Sequence, residues 1–276
     1  MPKTILVVSD LHCGSTVVLC PPDFETQEGQ KIGLSDWQRW MWDRWLEMRE
    51  YAKTKYGKLD ALVINGDCID GDHHKPAQIW SKNVGDHLNA AYHSLLPLAE
   101  LAKHVFVVLG TEIHTRDMEH ALANMLGADR ESKERPAFDR LEFEVGGNRV
   151  VAVHHMPATS RAWLRANALG MELANHRLHA AELGERIPDV LLLAHRHQYG
   201  GYDDHAGHVY STPPWIAPTR YAFRVAPAAR WTVGGLFLEL EPGHVRPDKF
   251  IRRPRSGRVG RASVAVRLLR PLGDCR

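Results

Sequence analysis

Long apolar runs are missing from this sequence. None approaches the roughly 18 residues of a membrane-spanning helix, and the N-terminus has no basic segment followed by a signal-like apolar stretch. A cytoplasmic protein without a membrane partner is the expectation. Cysteine is scarce as well. Cys13, Cys20, Cys68 and Cys275 form no C-x-x-C pair and are too few for a disulfide scaffold in 276 residues. Cys13 and Cys68 flank candidate ligands, yet they read as small buried thiols, because nitrogen and oxygen donors are abundant around them. No internal repeat is present.

An excess of one charge is nearly absent overall, since the net charge is +2. That balance is uneven along the chain. His244 to Arg276 hold ten Lys/Arg against two Asp, which leaves a formal −6 on residues 1–243. The expected organisation is a folded domain over 1–243, large enough at 44% apolar residues to bury a core, and a basic, Arg-rich tail over 244–276. Pro247, Pro254, Gly257 and Gly260 predict little regular structure in the tail before Ala262–Leu269, which reads as an added strand.

What the sequence does have is a repeated pattern. Ile5-Leu6-Val7-Val8 runs into Ser9-Asp10-Leu11-His12, and Ala61-Leu62-Val63-Ile64 runs into Asn65-Gly66-Asp67. Val105 to Leu109 run into Gly110-Thr111-Glu112-Ile113-His114, Val150 to Val153 into His154-His155, and Val190 to Ala194 into His195-Arg196-His197. Short β-prone runs stopped by polar residues read as buried strands. In α/β sheets ligands bind beyond the carboxyl ends of strands, so five runs tipped with Asp, Glu or His imply one shared site, most simply a metal site.

Helices fill the intervals. Ser35 or Asp36 caps one through about Tyr51, with Trp37, Trp40, Met41, Trp45, Met48 and Ala52 at helical spacing, a stripe that packs on a sheet; Trp42 alone lies off it as a candidate exposed aromatic. A second carries Val84, Leu88, Ala91, Leu95 and Leu98, with Pro97 expected to bend or restart it. A third begins near Asp117 and stops at Gly127. Leu141–Val145, Gly146-Gly147-Asn148 and the return through Val153 predict a hairpin, so part of the protein is antiparallel. Thr159 or Ser160 caps a long helix with Leu164, Ala168, Met171, Leu178 and Ala181 on one face. His208–Ser211 and Leu236–Leu240 are further strand candidates.

Each motif alone is weak; their joint order is specific. Asp10-x-His12, Gly66-Asp67-x-x-Asp70, a glycine turn with a histidine, His154 and His195-x-His197 together resemble the calcineurin-like metallophosphoesterase family over about Thr4 to His197. Phage and prophage members are the nearer likeness, through Asp-Leu-His-Cys-Gly, the Trp-rich helix, Gly-Thr-Glu-x-His, and Pro213-Pro214-Trp215 followed by Thr219-Arg220-Tyr221. The resemblance implies an α/β fold of mixed sheets packed as a β-sandwich and flanked by helices, with a metal site at strand carboxyl ends.

It also implies two divalent ions. Asp10, His12, Asp67 and His197 would hold one, Asp67, His154 and His195 the other, and a hydroxide on the metals would attack phosphorus in line. The mixed imidazole and carboxylate donors suit Mn foremost, with Fe, Zn or Ni as alternatives. Two departures stand out. The family's Gly-Asn-His turn is Gly110-Thr111-Glu112-Ile113-His114 here, and its Gly before His-x-His is Ala194. A strict alignment puts Thr111 in place of the ligating Asn and Glu112 in place of the catalytic His. A looser one, favoured on donor chemistry, makes Glu112 an oxygen ligand of the second metal and His114 the general acid. Asp70 reads as orienting a ligating histidine or as a surface acid, and His73 and His74 as lining the mouth or exposed in a loop.

The expected activity is a metal-dependent phosphoesterase. A phosphodiesterase or nuclease acting on DNA, RNA or nucleotides leads, with the basic tail as the nucleic-acid contact. A phosphomonoesterase or protein phosphatase, and a metal-binding module that has lost catalysis, are the alternatives.

Overall fold

A computed structural model describes residues 1–71, 78–115, 118–156, 165–205, 207–217 and 231–254. In chain order the elements are β1 (Lys3–Val8), α1 (Asp36–Tyr56), β2 (Leu59–Asn65), α2 (Val84–Ala99), β3 (Ala102–Val108), α3 (Glu112–Thr115), α4 (Met118–Leu126), β4 (Leu141–Val145), β5 (Asn148–Ala152), α5 (Arg165–Leu183), β6 (Val190–Leu193), β7 (Gly200–Asp204), β8 (Gly207–Ser211), β9 (Val233–Glu241) and β10 (His244–Arg252).

They build two mixed sheets of five strands, ordered β10-β9-β1-β2-β3 and β4-β5-β6-β8-β7. β1, β2 and β3 are parallel to one another, as are β5, β6 and β8, while β9, β10, β4 and β7 pair antiparallel. The period of two in a strand sends alternate residues to opposite faces and decides how the layers meet. Ile5, Val7, Ala61, Val63, Leu236 and Leu238 from one sheet share a core with Val150, Ala152, Val190, Leu192 and Tyr210 from the other. Leu6, Val8, Leu62 and Ile64 turn the other way, onto Met41, Trp45 and Met48 of α1, Leu88 and Leu95 of α2 and Leu122 of α4. Val151, Leu191, Leu193 and Val209 pack on Leu169 and Leu173 of α5. The result is the expected sandwich of mixed sheets with helices outside.

α1 begins on a capping box. Ser35 Oγ accepts from the Gln38 N–H, Gln38 Oε1 accepts from the Ser35 N–H, and the pairing is worth about 1 kcal/mol. Its buried stripe is Gln38, Met41, Trp45, Met48 and Ala52. Trp42 is not an exposed aromatic, because it is partly buried against the same core. Pro97 does not restart α2; it lies in the last turn, and the helix stops two residues later.

Two expectations fail for physical reasons. The long helix faces the sheet through Leu169, Leu173 and Ala180, whereas Met171 and Leu178 are 66% and 65% exposed. An alanine-rich helix offers several stripes of equal period, and the larger buried leucines select one. The described chain just after Gly243 is not irregular either. His244–Arg252 is β10, an edge strand in register with β9 from His244↔Glu241 to Arg252↔Val233. Its charges and Pro247, which look like a tail in sequence, suit an edge strand. Asp248 ties it to α1, accepting from Tyr51 Oη (2.7 Å), Lys55 Nζ (2.7 Å) and Tyr56 Oη (2.6 Å). β7 was not foreseen. The caps at Thr159 or Ser160, Leu164, Thr219 to Tyr221, the strand at 262–269 and Cys275 lie outside the described residues. None of the described helices is long and apolar enough to cross a membrane.

Candidate metal centre

Five parallel strands, three from one sheet and two from the other, end at the same rim. Past β1 and β2 the pairing continues into the loops, with Asp10 N–H donating to Gly66 O (3.0 Å), His12 N–H to Asp67 O (2.9 Å) and Cys13 N–H to Cys68 O (3.0 Å). Two loops that would otherwise diverge are held side by side. Close approach demands glycine at two places. A Cβ on Gly66, which has φ +77°, would stand 2.4 Å from His154 Nδ1, and one on Gly110 would stand 2.2 Å from the Asp67 nitrogen.

The backbone at this rim is strained in a patterned way. Among the described residues six non-glycines have left-handed φ, and five are Asp10 (52°), His12 (45°), Asp67 (51°), His195 (68°) and His197 (51°); the sixth is Asp23. Such conformations cost on the order of 1–3 kcal/mol each and persist where surrounding structure imposes them. Ala194 does not share the left-handed φ, so alanine there is tolerated in place of glycine.

The side chains converge in three groups. Asp10, His12, Asp67 and His197 form one, Asp67, His154 and His195 another, and His12, Asp70 and His114 a third, each offering donor atoms within 4.8 Å of one another, with Asp67 common to the first two. His12 Nε2 is 3.1 Å from His197 Nε2 and 3.7 Å from Asp67 Oδ2. His197 Nε2 is 3.3 Å from Asp10 Oδ1, and His154 Nε2 is 3.1 Å from Asp67 Oδ2. Asp10, Asp67, His12 and His154 are all buried.

Neighbouring groups lock these donors. Asn65, the last residue of β2, accepts from His154 Nδ1 through its carbonyl at 2.7 Å and donates its side-chain amide to Val153 O at 3.2 Å, joining the ends of the two sheets. Ser9 Oγ donates to Asp10 Oδ2 at 2.6 Å. The Thr111 N–H and hydroxyl donate to Asp67 Oδ1 (2.6 Å) and Oδ2 (3.2 Å), and Thr111 Oγ1 lies 3.2 Å from His195 Nδ1. Asp70 Oδ1 is 3.3 Å from His12 Nδ1 and 3.5 Å from His114 Nδ1, the orienting position expected of it.

Glu119 joins this set although none of the sequence motifs includes it. It is buried in α4 and accepts from Cys68 N–H (3.1 Å) and Gly110 N–H (2.5 Å), so one carboxylate clamps the turns that carry Asp67 and Thr111. Burial and the Asp67 charge push its pKa up to about 7, against the pull of the two N–H groups. A buried Glu inside an apolar helical stripe was the available signal.

Not every expected residue arrives. Glu112 belongs to none of these groups; it opens α3 with its side chain exposed. The Thr111 N–H bond to Asp67 turns residue 111 inward, and the helix that follows swings 112 away. Thr111, not Glu112, is the residue of this turn that reaches Asp67 and His195. His114 stays at the rim, its ring 4.7 Å from that of His12 in an edge-on contact. Strand alternation separates His154, buried, from His155, exposed. His73 and His74 lie outside the described residues.

The site calls for positive charge. Burial disfavours a charged His154, yet Asp67 and Asp10 hold its pKa up at about 9; in turn His197 and then His154 keep Asp10, and His154, His12 and His114 keep Asp67, below the usual carboxylate range despite burial. His195 is pushed down to about 4 by burial and by His154, which leaves it a neutral imidazole with a lone pair. Asp10 Oδ1 and His154 Nε2 are buried and face one another at 4.0 Å, each in ionic contact with a further donor of the set, His197 Nε2 at 3.3 Å and Asp67 Oδ2 at 3.1 Å, but in no well-aligned hydrogen bond. Carboxylate and imidazole donors with orphaned atoms facing one another fit divalent cations. Asp10, His12, Asp67 and His197 can hold one, and Asp67, His154 and His195 another.

Neither protein-family models nor curated proteins match the sequence. Solved structures are similar at low overlap. Vps29 complexed with zinc from Entamoeba histolytica is 12% identical, with 90% of this chain and 99% of that one covered and a TM-score of 0.42. A novel archaeal phosphodiesterase is 10% identical, with 90% and 99% covered and a TM-score of 0.44. A predicted phosphoesterase from Streptococcus pneumoniae is 15% identical, with 90% and 98% covered and a TM-score of 0.37. Likeness at this level carries no conclusion about activity, which has to come from the residues themselves.

Proposed function

We propose that this chain is a phosphoester hydrolase working with two divalent cations, of the calcineurin-like metallophosphoesterase type that its motifs resemble and nearest to the phage-encoded kind. Its preferred substrates are phosphodiesters of nucleic acids or nucleotides. The observation that carries the reading is the backbone: the left-handed non-glycine residues are, with one exception, donors of the two groups that share Asp67. Strain concentrated on the donors fits a site preorganised for a cation pair.

A pair of divalent cations sharing a carboxylate supplies charge neutralisation at phosphoryl oxygens and lowers the pKa of water toward neutrality. The chain's own groups do the rest. Thr111 fixes both oxygens of Asp67, and Asn65 fixes the His154 tautomer with Nδ1 protonated. His114 is the proton donor to the leaving alkoxide. Burial pulls its pKa down, but the Asp70 hydrogen bond and the charges of Asp67 and Asp70 raise it above its usual value, in the direction that favours the protonated form an acid needs. Preference for diesters of a polyanion is supported by the six Arg against one Asp in residues 255–276.

Mn-loaded protein assayed on bis-p-nitrophenyl phosphate and on p-nitrophenyl phosphate tests the reading. Faster turnover of the diester is expected. Clear preference for the monoester would make the protein a phosphomonoesterase, and bound metal without turnover of either would make it a binding module.

A further inference from the structure

A cleft of about 510 Å³ opens away from the donor groups, between the first turns of α1 and the end of β10. Its lining is Asp36, Trp37, Arg39, Trp40, Asp43 and Pro254. Ser35 Oγ donates to Thr16 O at 2.7 Å and Gln38 Nε2 to Ser15 O at 3.2 Å, so the cleft is anchored to the loop that follows Asp10 and His12. β10 runs parallel to β1 through two antiparallel steps, and its end therefore reaches the same rim.

The chemistry of the lining selects a cation. Trp37 and Trp40 stand edge to face with ring centroids 6.1 Å apart, which exposes aromatic surface beside carboxylates. Arg39 is already engaged, donating to Asp36 Oδ1 (2.8 Å) and Leu34 O (2.5 Å), and Asp43 is exposed. Its described lining holds two carboxylates, Asp36 and Asp43, and one guanidinium, Arg39. Aromatic faces flanked by carboxylates are a setting for a further guanidinium, held by cation–π and ion-pair contacts. A nucleic-acid phosphate would meet the same carboxylates as repulsion.

We propose that this cleft receives an arginine of the chain's own segment after Pro254, Arg255 or Arg258. Pro254 is part of the wall, the Arg255 Cα is about 3.8 Å further along, and Arg258 lies within roughly 14 Å of chain. The segment 255–276 carries six Arg against one Asp, opposite in sign to the described lining. The inference stands apart from the hydrolytic reading, because neither the cleft nor the segment supplies a proposed metal ligand.

Limited trypsin digestion of the full chain, read by mass spectrometry, tests it. In the wild type, cleavage after Arg255 and Arg258 should lag behind cleavage after Arg267. The double variant Asp36→Asn/Asp43→Asn and the single variant Trp37→Leu should each remove the lag, with cleavage at the proximal sites accelerating at least about fivefold, the scale of losing cation–π and ion-pair contacts. The double variant changes only exposed groups and keeps the test valid if Trp37→Leu impairs folding. Equal cleavage at all three sites in the wild type would overturn the proposal. So would a lag untouched by the variants, a lag that grows with protein concentration and so reports a second copy, or one that appears only when single-stranded DNA is added.

Discussion

His154 donates from Nδ1 to the Asn65 carbonyl at 2.7 Å, and this one bond fixes the role of its other nitrogen. A carbonyl can only accept, so Nδ1 carries the proton and Nε2 is turned toward Asp67 Oδ2, 3.1 Å away. With Mn, Fe or Zn bound, His154 should be a neutral Nε2 ligand. Replacing it by Ala removes a donor from the second group while sparing the first. The expected outcome is loss of roughly one bound ion per chain and a fall in hydrolysis on the order of 100-fold or more, seen by elemental analysis and turnover. Full occupancy in the variant would exclude His154 from the ligand set.

The acid role of His114 predicts a dependence on the leaving group. His114→Gln should slow hydrolysis of alkyl or nucleoside esters by about 10²–10⁴-fold, because their alkoxides need a proton. Nitrophenyl esters, whose leaving group is stable as an anion, should lose far less. Equal losses on both classes would assign His114 to positioning.

Glu119 is expected to matter without touching substrate. Glu119→Gln keeps an acceptor for one of the Cys68 and Gly110 N–H groups but turns an amide donor on the other, at a cost of about 1–3 kcal/mol. Urea unfolding should show that loss, and Mn titration should show weaker binding, since the clamped turns carry Asp67 and Thr111. A variant with unchanged stability and affinity would reduce the clamp to a bystander.

Asp248 predicts an acid-side effect far from the site. Burial alone would raise its pKa, but bonds from Lys55, Tyr56 and Tyr51 outweigh burial and depress it. A carboxylate with a depressed folded-state pKa contributes stability in full above its unfolded value near 4, and loses it as pH falls through the folded value. Asp248→Asn should therefore cost about 1 kcal/mol at pH 7, with the gap closing below about pH 4 in denaturant titrations. A gap independent of pH would point to packing of β10 instead of charge.

Much of this molecule is legible before folding, and the reasons can be traced to residues. Ile5, Leu6, Val7 and Val8 announce a strand buried on both faces because each face meets a different core. Ser35 and Gln38 announce a helix start through a local bond. Asp10, His12, Asp67, His154, His195 and His197 are visible because donors follow strand ends in a fixed order. What escapes notice depends on distant partners. Glu119 acts on N–H groups 51 and 9 residues away, α5 offered more than one apolar stripe, and Glu112 was favoured for its donor chemistry when the direction of the turn after Thr111 decides. β10 looks like tail in the sequence because an edge strand tolerates the charges and proline that a central one refuses.

The shared position of Asp67 is best tested by the Mn content of wild type and Asp67→Asn after equilibrium dialysis. The account predicts about two ions per chain in the wild type and fewer than about one in the variant, with diester hydrolysis abolished. Unchanged Mn content in Asp67→Asn would contradict a cation pair built around that carboxylate.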